Sequence, residues 1–356
     1  MNILDDLEKI REIDREGILG AEEGFYDQLL DAREIAGRAE LGDIKEKKFS
    51  GIVFSGMGGS GFAGDIVKAL IRDDIDIPVE VVKGYSLPSY VNKDWLVISI
   101  SYSGNTEETI STTGQALERG CEVIIICSGG ELEKIGRDNG KTVLKIPSGM
   151  QPRGAAGYLF FPAYLMMDYL GIVKIPPGDI KEALKLIKEK VPLYRRETGI
   201  DKNPAKKLAS EISDNLPIIY GTEGILSVVA YRLKCEINEN SKTPCWWNEF
   251  PELNHNETVG WERLKGITGK FVVIALREKD EWIRMKTRID ITLKLIRENV
   301  NGIINIPVEG ESKLARALSS MYLGDIASVY LALLYEIDPS PVEKIESLKA
   351  ELKKIN

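Results

Sequence analysis

Histidine occurs once in these 356 residues, at position 255. The four cysteines, Cys121, Cys127, Cys235 and Cys245, are scattered, with no C-x-x-C pair and no companion histidines. A structural zinc site needs four clustered ligands, so none is expected. Basic residues are also short, 47 against 55 acidic ones, which leaves a net charge of −8. A nucleic-acid binder normally carries the opposite surplus. The start, MNILDDLEKIREIDREG, lacks the apolar core of a signal peptide. The most apolar stretch, Tyr158 to Val173, is cut by Pro162 and Asp168 and is too short to span a bilayer. These shortages point to a cytoplasmic protein of a reducing compartment, with no nucleic-acid or membrane partner and no metal.

An apolar fraction of 43% with 29% charged residues describes a globular chain. Its length exceeds what one hydrophobic core usually holds, so two domains are expected. Residues 1–48 carry Leu4, Leu7, Ile10 and Ile13 at spacings of three and read as an amphipathic helical arm packed on the body. Short apolar strands then alternate with helices at Ile52–Phe54, Val79–Val82, Leu96–Ile100, Val123–Cys127 and Thr142–Ile146. That alternation predicts a parallel sheet covered on both faces, over residues 49–175. Residues 176–205 read as a helical linker. The pattern restarts over 206–340 with strands at Leu216–Tyr220, Phe271–Leu276 and Gly302–Ile306, and a last helix covers 341–356. Ile146-Pro147 and Ile306-Pro307 each lead into a long apolar helix, an offset of 160 residues that suits a duplicated domain.

One stretch fits neither period. Ser241 to Glu262, SKTPCWWNEFPELNHNETVGWE, holds His255, Glu249, Glu252, Glu257 and three of the five tryptophans, and two prolines interrupt it. Long irregular segments inside compact chains are usually functional or disordered, and so many tryptophans argue against disorder. On residue types alone, a packed surface loop with a capping histidine is an equal alternative.

Two glycine-bearing loops follow strands in the first half. Gly56-Met-Gly-Gly-Ser60-Gly61 fits the G-x-G-x-x-G pattern between a strand and a helix. The next strand ends at Lys83-Gly84 rather than at the acidic residue that a dinucleotide ribose requires, so a nicotinamide cofactor is disfavoured. What remains is a row of backbone N–H groups at a helix N-terminus, suited to an anion or to a bare tight turn. Ser99-Ile-Ser101-Tyr-Ser103-Gly-Asn-Thr106-Glu-Glu places hydroxyls between a strand and a helix start, which suits a phosphate monoester. Thr106 also suits a helix N-cap.

These two loops resemble those of the sugar isomerase (SIS) domain family, which binds phosphosugars. Pro147-Ser-Gly-Met-Gln-Pro-Arg153-Gly-Ala-Ala156, Glu239-Asn-Ser-Lys242, Pro251-Glu-Leu-Asn-His255-Asn-Glu257 and Pro341-Val-Glu-Lys344-Ile are similar to motifs of archaeal bifunctional phosphoglucose/phosphomannose isomerases. The resemblance spans nearly the whole chain. It implies two flavodoxin-like, three-layer SIS domains and a cofactor-free, metal-independent aldose–ketose isomerase acting on glucose 6-phosphate and mannose 6-phosphate. It also implies a homodimer with shared sites. Phosphate is then held by Gly59, Ser60, Ser101, Ser103 and Thr106. Glu239 is the base that moves a proton between C2 and C1, and Arg153 the cation facing the enediolate. His255 opens the pyranose ring, from the neighbouring subunit in related enzymes, with Lys344 as its partner. Glu239 follows an apparent helix, Ile225 to Ile237, whose dipole disfavours an anion. Glu252 and Glu257 read as structural. Another SIS sugar-phosphate isomerase, or a non-catalytic phosphosugar sensor, is the competing expectation.

Overall fold

Gly17, in the left-handed region at φ +73°, and Gly24 break the N-terminal segment, which is therefore not one helix. In the computed structural model, which describes residues 2–355, that segment forms α1 (Leu7–Ile13), α2 (Ile18–Glu23) and α3 (Phe25–Gly37). Leu4, Ile10, Leu19, Phe25 and Leu29 are buried, so the arm is part of the core. The expectation of a packed arm holds; that of a single helix does not.

The first parallel sheet follows. β1 (Gly51–Ser55) leads to α4 (Gly58–Ile71) and β2 (Val79–Val82); β3 (Trp95–Ile100) leads to α5 (Glu107–Glu118). β4 (Glu122–Cys127), α6 (Gly130–Asp138) and β5 (Thr142–Lys145) complete it. The strand order is β2-β1-β3-β4-β5, all parallel. Continuous apolar runs make β1 and β3 buried throughout, as strands covered on both faces must be. The order reverses between β1 and β3, so the loops leaving their carboxyl ends border the crevice where open α/β sheets bind ligands.

A 3-10 turn, Pro152–Ala155, then carries the chain into α7 (Ala156–Tyr169). The stretch expected to link the domains is α8 (Pro177–Tyr194) and the turns before α9 (Pro204–Ile212); Ala183 and Ile187 of α8 are buried. The second sheet starts with β6 (Leu216–Thr222), α10 (Ile225–Asn240) and β7 (Trp246–Phe250). After a 3-10 turn at Glu252–His255 come the short helices α11 (Glu257–Gly260) and α12 (Lys265–Thr268). β8 (Phe271–Glu278), α13 (Ile283–Ile296), β9 (Gly302–Val308), α14 (Lys313–Leu334) and α15 (Glu343–Leu352) finish the chain. Its order, β7-β6-β8-β9, repeats that of β2-β1-β3-β4. β7 corrects the expectation of an irregular segment: Pro244 and Pro251 bracket a five-residue strand rather than forbid one.

The two sheets face each other across one shared core. Inner-face residues of both, such as Phe54, Ile98, Ile219 and Ile274, join a single apolar cluster with α7, α8, α9, α10 and α14. The outer faces have separate, smaller cores. α14 is apolar and long enough to cross a membrane, yet it lies buried at the centre of the molecule. Its one buried acid, Asp325, needs a partner there. Arg232 of α10 supplies it, with Nε 2.8 Å from Asp325 Oδ1 and Nη2 2.9 Å from Oδ2. Arg232 also lies 3.2 Å from Glu236. Replacing Arg232 by Met leaves these carboxylates unpaired and should cost about 3–5 kcal/mol, read as a lower denaturant midpoint. A loss below about 1 kcal/mol would remove the pair from the fold's determinants.

Burial pushes the carboxyls of Glu22, Asp325 and Glu236 upward, that of Glu236 to about 8. Glu22 Oε1 has no hydrogen-bond partner. An unfolded glutamate releases its proton near pH 4.3 (about the reference value). Between there and pH 8 the folded protein holds protons that the unfolded chain has lost. Stability should therefore fall as pH rises through this window, by about 1.4 kcal/mol per pH unit for each proton held. Denaturant titrations at pH 5 and pH 8 should show that fall, and Glu22→Gln should shrink it; an unchanged slope in the variant contradicts the assignment.

Candidate active site

Two loops meet at the switch point of the first sheet. The Gly56–Gly61 loop leaves β1 and turns into α4. A Cβ on Gly56 would stand 2.7 Å from the Ile100 carbonyl oxygen, and one on Gly61 would stand 2.7 Å from the Gly56 carbonyl oxygen. The glycines are thus required by close backbone approach, which is a tight turn with a reason. α4 has Met57 at its N-cap and no side chain bonded to its first N–H groups. α5 likewise begins at Thr106 with no side-chain cap. Thr106 occupies the capping position, but its hydroxyl lies 2.9 Å from Ser101 Oγ instead. Two helix N-termini with unclaimed amides therefore point at one sheet edge, the arrangement that stabilises an anion.

The other expected phosphate ligands fall in the same place. Ser60 and Ser101 are buried, while Ser103 is exposed. Ser60 Oγ accepts from the Tyr102 amide at 3.2 Å, which ties the glycine loop to the hydroxyl loop. Ser101 Oγ accepts from the Gly104 amide and Ser103 Oγ from the Asn105 amide, both at 3.2 Å. Gly59 lies over the Arg153 segment: a Cβ there would be 3.3 Å from the Pro152 carbonyl oxygen. Tyr102 Oη accepts from the Met150 amide at 2.9 Å, fixing that segment from its other side.

Arg153 and Glu239 come together from opposite halves of the chain. Arg153 is 3% exposed, on the 3-10 turn before α7. Glu239 sits in the last turn of α10, which runs three residues past the apparent helix, to Asn240. Arg153 Nη1 stands 3.7 Å from Glu239 Oε2, whose side chain is 31% exposed. One group is buried, and the other reaches solvent. Lys242, in the left-handed region at φ +55°, turns back to donate to the Glu239 carbonyl and, at 2.9 Å, to the Pro339 carbonyl. Burial, and then the charge of Arg153, hold the Lys242 ammonium below its usual range.

Two expected site residues lie apart from this pair. His255 ends the 3-10 turn after β7, is exposed, and has no hydrogen bond or ion pair among the described residues. Lys344 is exposed near the start of α15, also without such a partner among the described residues. Glu257 accepts from Tyr220 Oη and, at 2.6 Å, from Asn248 Nδ2, so it braces β7 against β6. Glu252 accepts from Asn256 Nδ2 at 2.9 Å within its own turn. Both glutamates are engaged in these local hydrogen bonds. Sequence reasoning missed Arg232, Glu236 and Asn240, which line the buried side of α10 at intervals of four. Their spacing on a largely apolar helix was the available signal.

The fold thus brings two helix N-termini without side-chain caps to the first sheet's edge and sets a buried guanidinium beside a partly exposed carboxylate. Residues 44–173 match the SIS domain, and residues 201–352 match the bacterial phospho-glucose isomerase C-terminal SIS domain. The chain is 41% identical over 329 residues to the bifunctional phosphoglucose/phosphomannose isomerase of Caldicellulosiruptor bescii, covering 92% of this chain and 97% of the relative. The enzyme of that name from Aquifex aeolicus is 38% identical over 337 residues, covering 93% and 97%. Among solved structures, the C-terminal domain of glucosamine-fructose-6-phosphate aminotransferase from Francisella tularensis shares the fold, with a TM-score of 0.69 at 15% identity, over 91% of this chain and 98% of that one. The chain belongs to the bifunctional phosphoglucose/phosphomannose isomerase family and is built from two SIS domains.

Proposed function

We propose that this protein interconverts glucose 6-phosphate and mannose 6-phosphate with fructose 6-phosphate, without a metal, through a cis-enediolate. The observation that carries this is the 3.7 Å approach of Arg153 to Glu239 beside the two phosphate-binding helix starts. The family membership of the chain supports it.

The residues divide the work by their chemistry. The amide of Gly59 and the hydroxyls of Ser60, Ser101, Ser103 and Thr106 hold the phosphate at the N-termini of α4 and α5, where the dipoles favour its charge. That fixes the sugar's far end and leaves C1 and C2 near Glu239. The Glu239 carboxylate takes the proton from one carbon and returns it to the other, a task for a group that can reorient. Arg153 faces the oxygens on which negative charge develops, and because it is already held, little reorganisation accompanies the reaction. Once C2 is planar, rotation about C2–C3 presents either face to the same carboxylate, which admits both epimeric aldoses.

His255 opens the pyranose ring by exchanging a proton with its oxygens, and Lys344 assists. Both residues are exposed and unpaired among the described residues, as groups reaching a neighbouring protomer's site would be. The working form is accordingly a homodimer with shared sites. Its location is the cytoplasm.

In EDTA, the native protein should form fructose 6-phosphate from both aldose phosphates, and Glu239→Gln should lower kcat by about 100- to 10,000-fold on each. Activity on one aldose only would narrow the substrate range. No turnover together with tight phosphosugar binding would transfer the chain to the sensor class. Sharing of sites predicts complementation. Glu239→Gln and His255→Asn proteins, each inactive alone, should regain part of the native activity after mixed refolding, whereas sites complete within one protomer would stay inactive.

A further inference from the structure

The Arg153 guanidinium has five N–H donors, and its surroundings use them unequally. Nε donates to Asn240 Oδ1 at 2.6 Å. Nη2 donates to the carbonyls of Pro339 and Ser340 at 2.7 and 2.9 Å. Only Nη1 is left facing Glu239. The direction of Nη1 is therefore set by what grips the other two nitrogens. The two carbonyls belong to the segment that leads into α15, and carbonyls only accept. The Asn240 amide differs, since it can present either an acceptor or a donor to Nε.

Which way the amide lies is decided by its neighbours. Asn240 is fully buried and its Nδ2 donates to Glu236 Oε2 at 3.1 Å and to Ser328 Oγ at 2.8 Å. Arg153 Nε can only donate, so Oδ1 must face it, which leaves Nδ2 to meet Glu236 Oε2. Glu236 is anchored in turn by Arg232, 3.2 Å away, and Arg232 Nη2 also donates to the Arg153 backbone carbonyl at 2.9 Å. The contacts close a ring: Arg153 backbone, Arg232, Glu236, Asn240, Arg153 side chain. Both ends of the arginine are thus tied to α10, the backbone through Arg232 and the side chain through Asn240.

We propose that Asn240 is a positioning residue that aims the Arg153 guanidinium at the reacting oxygens, and that Glu236 fixes the orientation of the Asn240 amide. This rests on the isomerase function proposed above. Asn240 does not touch substrate; it acts only through Arg153. A displacement of about 1 Å at such a group can cost roughly a hundredfold in rate. Phosphate binding, which lies on the loops of the first sheet, should be spared.

The test compares the full-length native protein with Asn240→Leu and Asn240→Asp. Asn240→Leu keeps the number and branching of the heavy atoms but offers Nε no acceptor; kcat should fall by about 10- to 100-fold, with KM within about threefold. Asn240→Asp restores an acceptor to Nε and should recover most of that loss. The proposal is overturned if folded Asn240→Leu keeps kcat within twofold, if KM rises as much as kcat falls, or if Asp does no better than Leu. Should the Leu protein fail to fold, Asn240→Ser, too short to reach Nε, takes its place under the same criteria. A second readout needs no turnover: hydrogen exchange of the Arg153 Nε proton, followed by NMR on protein with 15N-labelled arginine. Slow exchange is expected in the native protein, and exchange at least tenfold faster in the Leu or Ser protein. Fast exchange in the native protein overturns the proposal even if no variant folds. A native protein that turns over no sugar phosphate would instead sink the isomerase function, and the exchange measurement would still decide how Arg153 is held.

Discussion

A guanidinium that is 3% exposed must find all its partners inside the protein, and those of Arg153 lie in the other half of the chain. The side chain leaves the first SIS domain and is gripped by Asn240, Pro339 and Ser340 of the second. An unpaired buried charge costs far more than the pairing returns, so this contact tolerates little misalignment between the halves. The shared apolar core fixes the sheets roughly; the arginine fixes them finely. The separation of Arg153 from Glu239 follows from that constraint. So does the closeness of both to the glycine and hydroxyl loops, because Gly59 and Tyr102 rest on the chain leading into Arg153.

The same network works against stability. Glu22, Glu236 and Asp325 are buried beside Arg232 and Arg153, so three carboxyls face two guanidiniums. Burial shifts all three carboxyls toward the protonated form, most clearly Glu236. A core of aliphatic residues in these places would be more stable, as replacements of buried ion pairs by apolar groups often are. What aliphatic residues cannot supply is a fixed direction for a charge. Catalytic groups need supports that are themselves locked, and a closed ring of hydrogen bonds provides that where packing alone would not.

Much of this was legible in the sequence because it is local. Apolar runs at Ile52–Phe54, Leu96–Ile100 and Phe271–Leu276 marked central strands, and the restart after residue 205 marked the duplication. The glycine and hydroxyl loops are written in residues that follow one another, and Glu239 and Arg153 lay in recognisable motifs. Local features also misled. The prolines around Trp246–Phe250 disguised an edge strand, which tolerates prolines at its ends. The spacing of Leu4, Leu7 and Ile10 was helical, but nothing in that spacing weighed the left-handed turn at Gly17. The ring around Arg153 was harder to read for a different reason: Arg153 lies 79 residues from Arg232 and 87 from Asn240 in sequence, and only folding makes them neighbours.

The central claim is that one carboxylate beside one fixed guanidinium moves a proton between C1 and C2 on both epimers. The most direct measurement is to run fructose 6-phosphate to equilibrium in D2O and examine C2 of each aldose phosphate. A carboxylate can exchange the transferred proton with solvent, so deuterium should enter C2 of both glucose 6-phosphate and mannose 6-phosphate. Transfer with no deuterium in either product, as a direct hydride shift requires, would contradict the account.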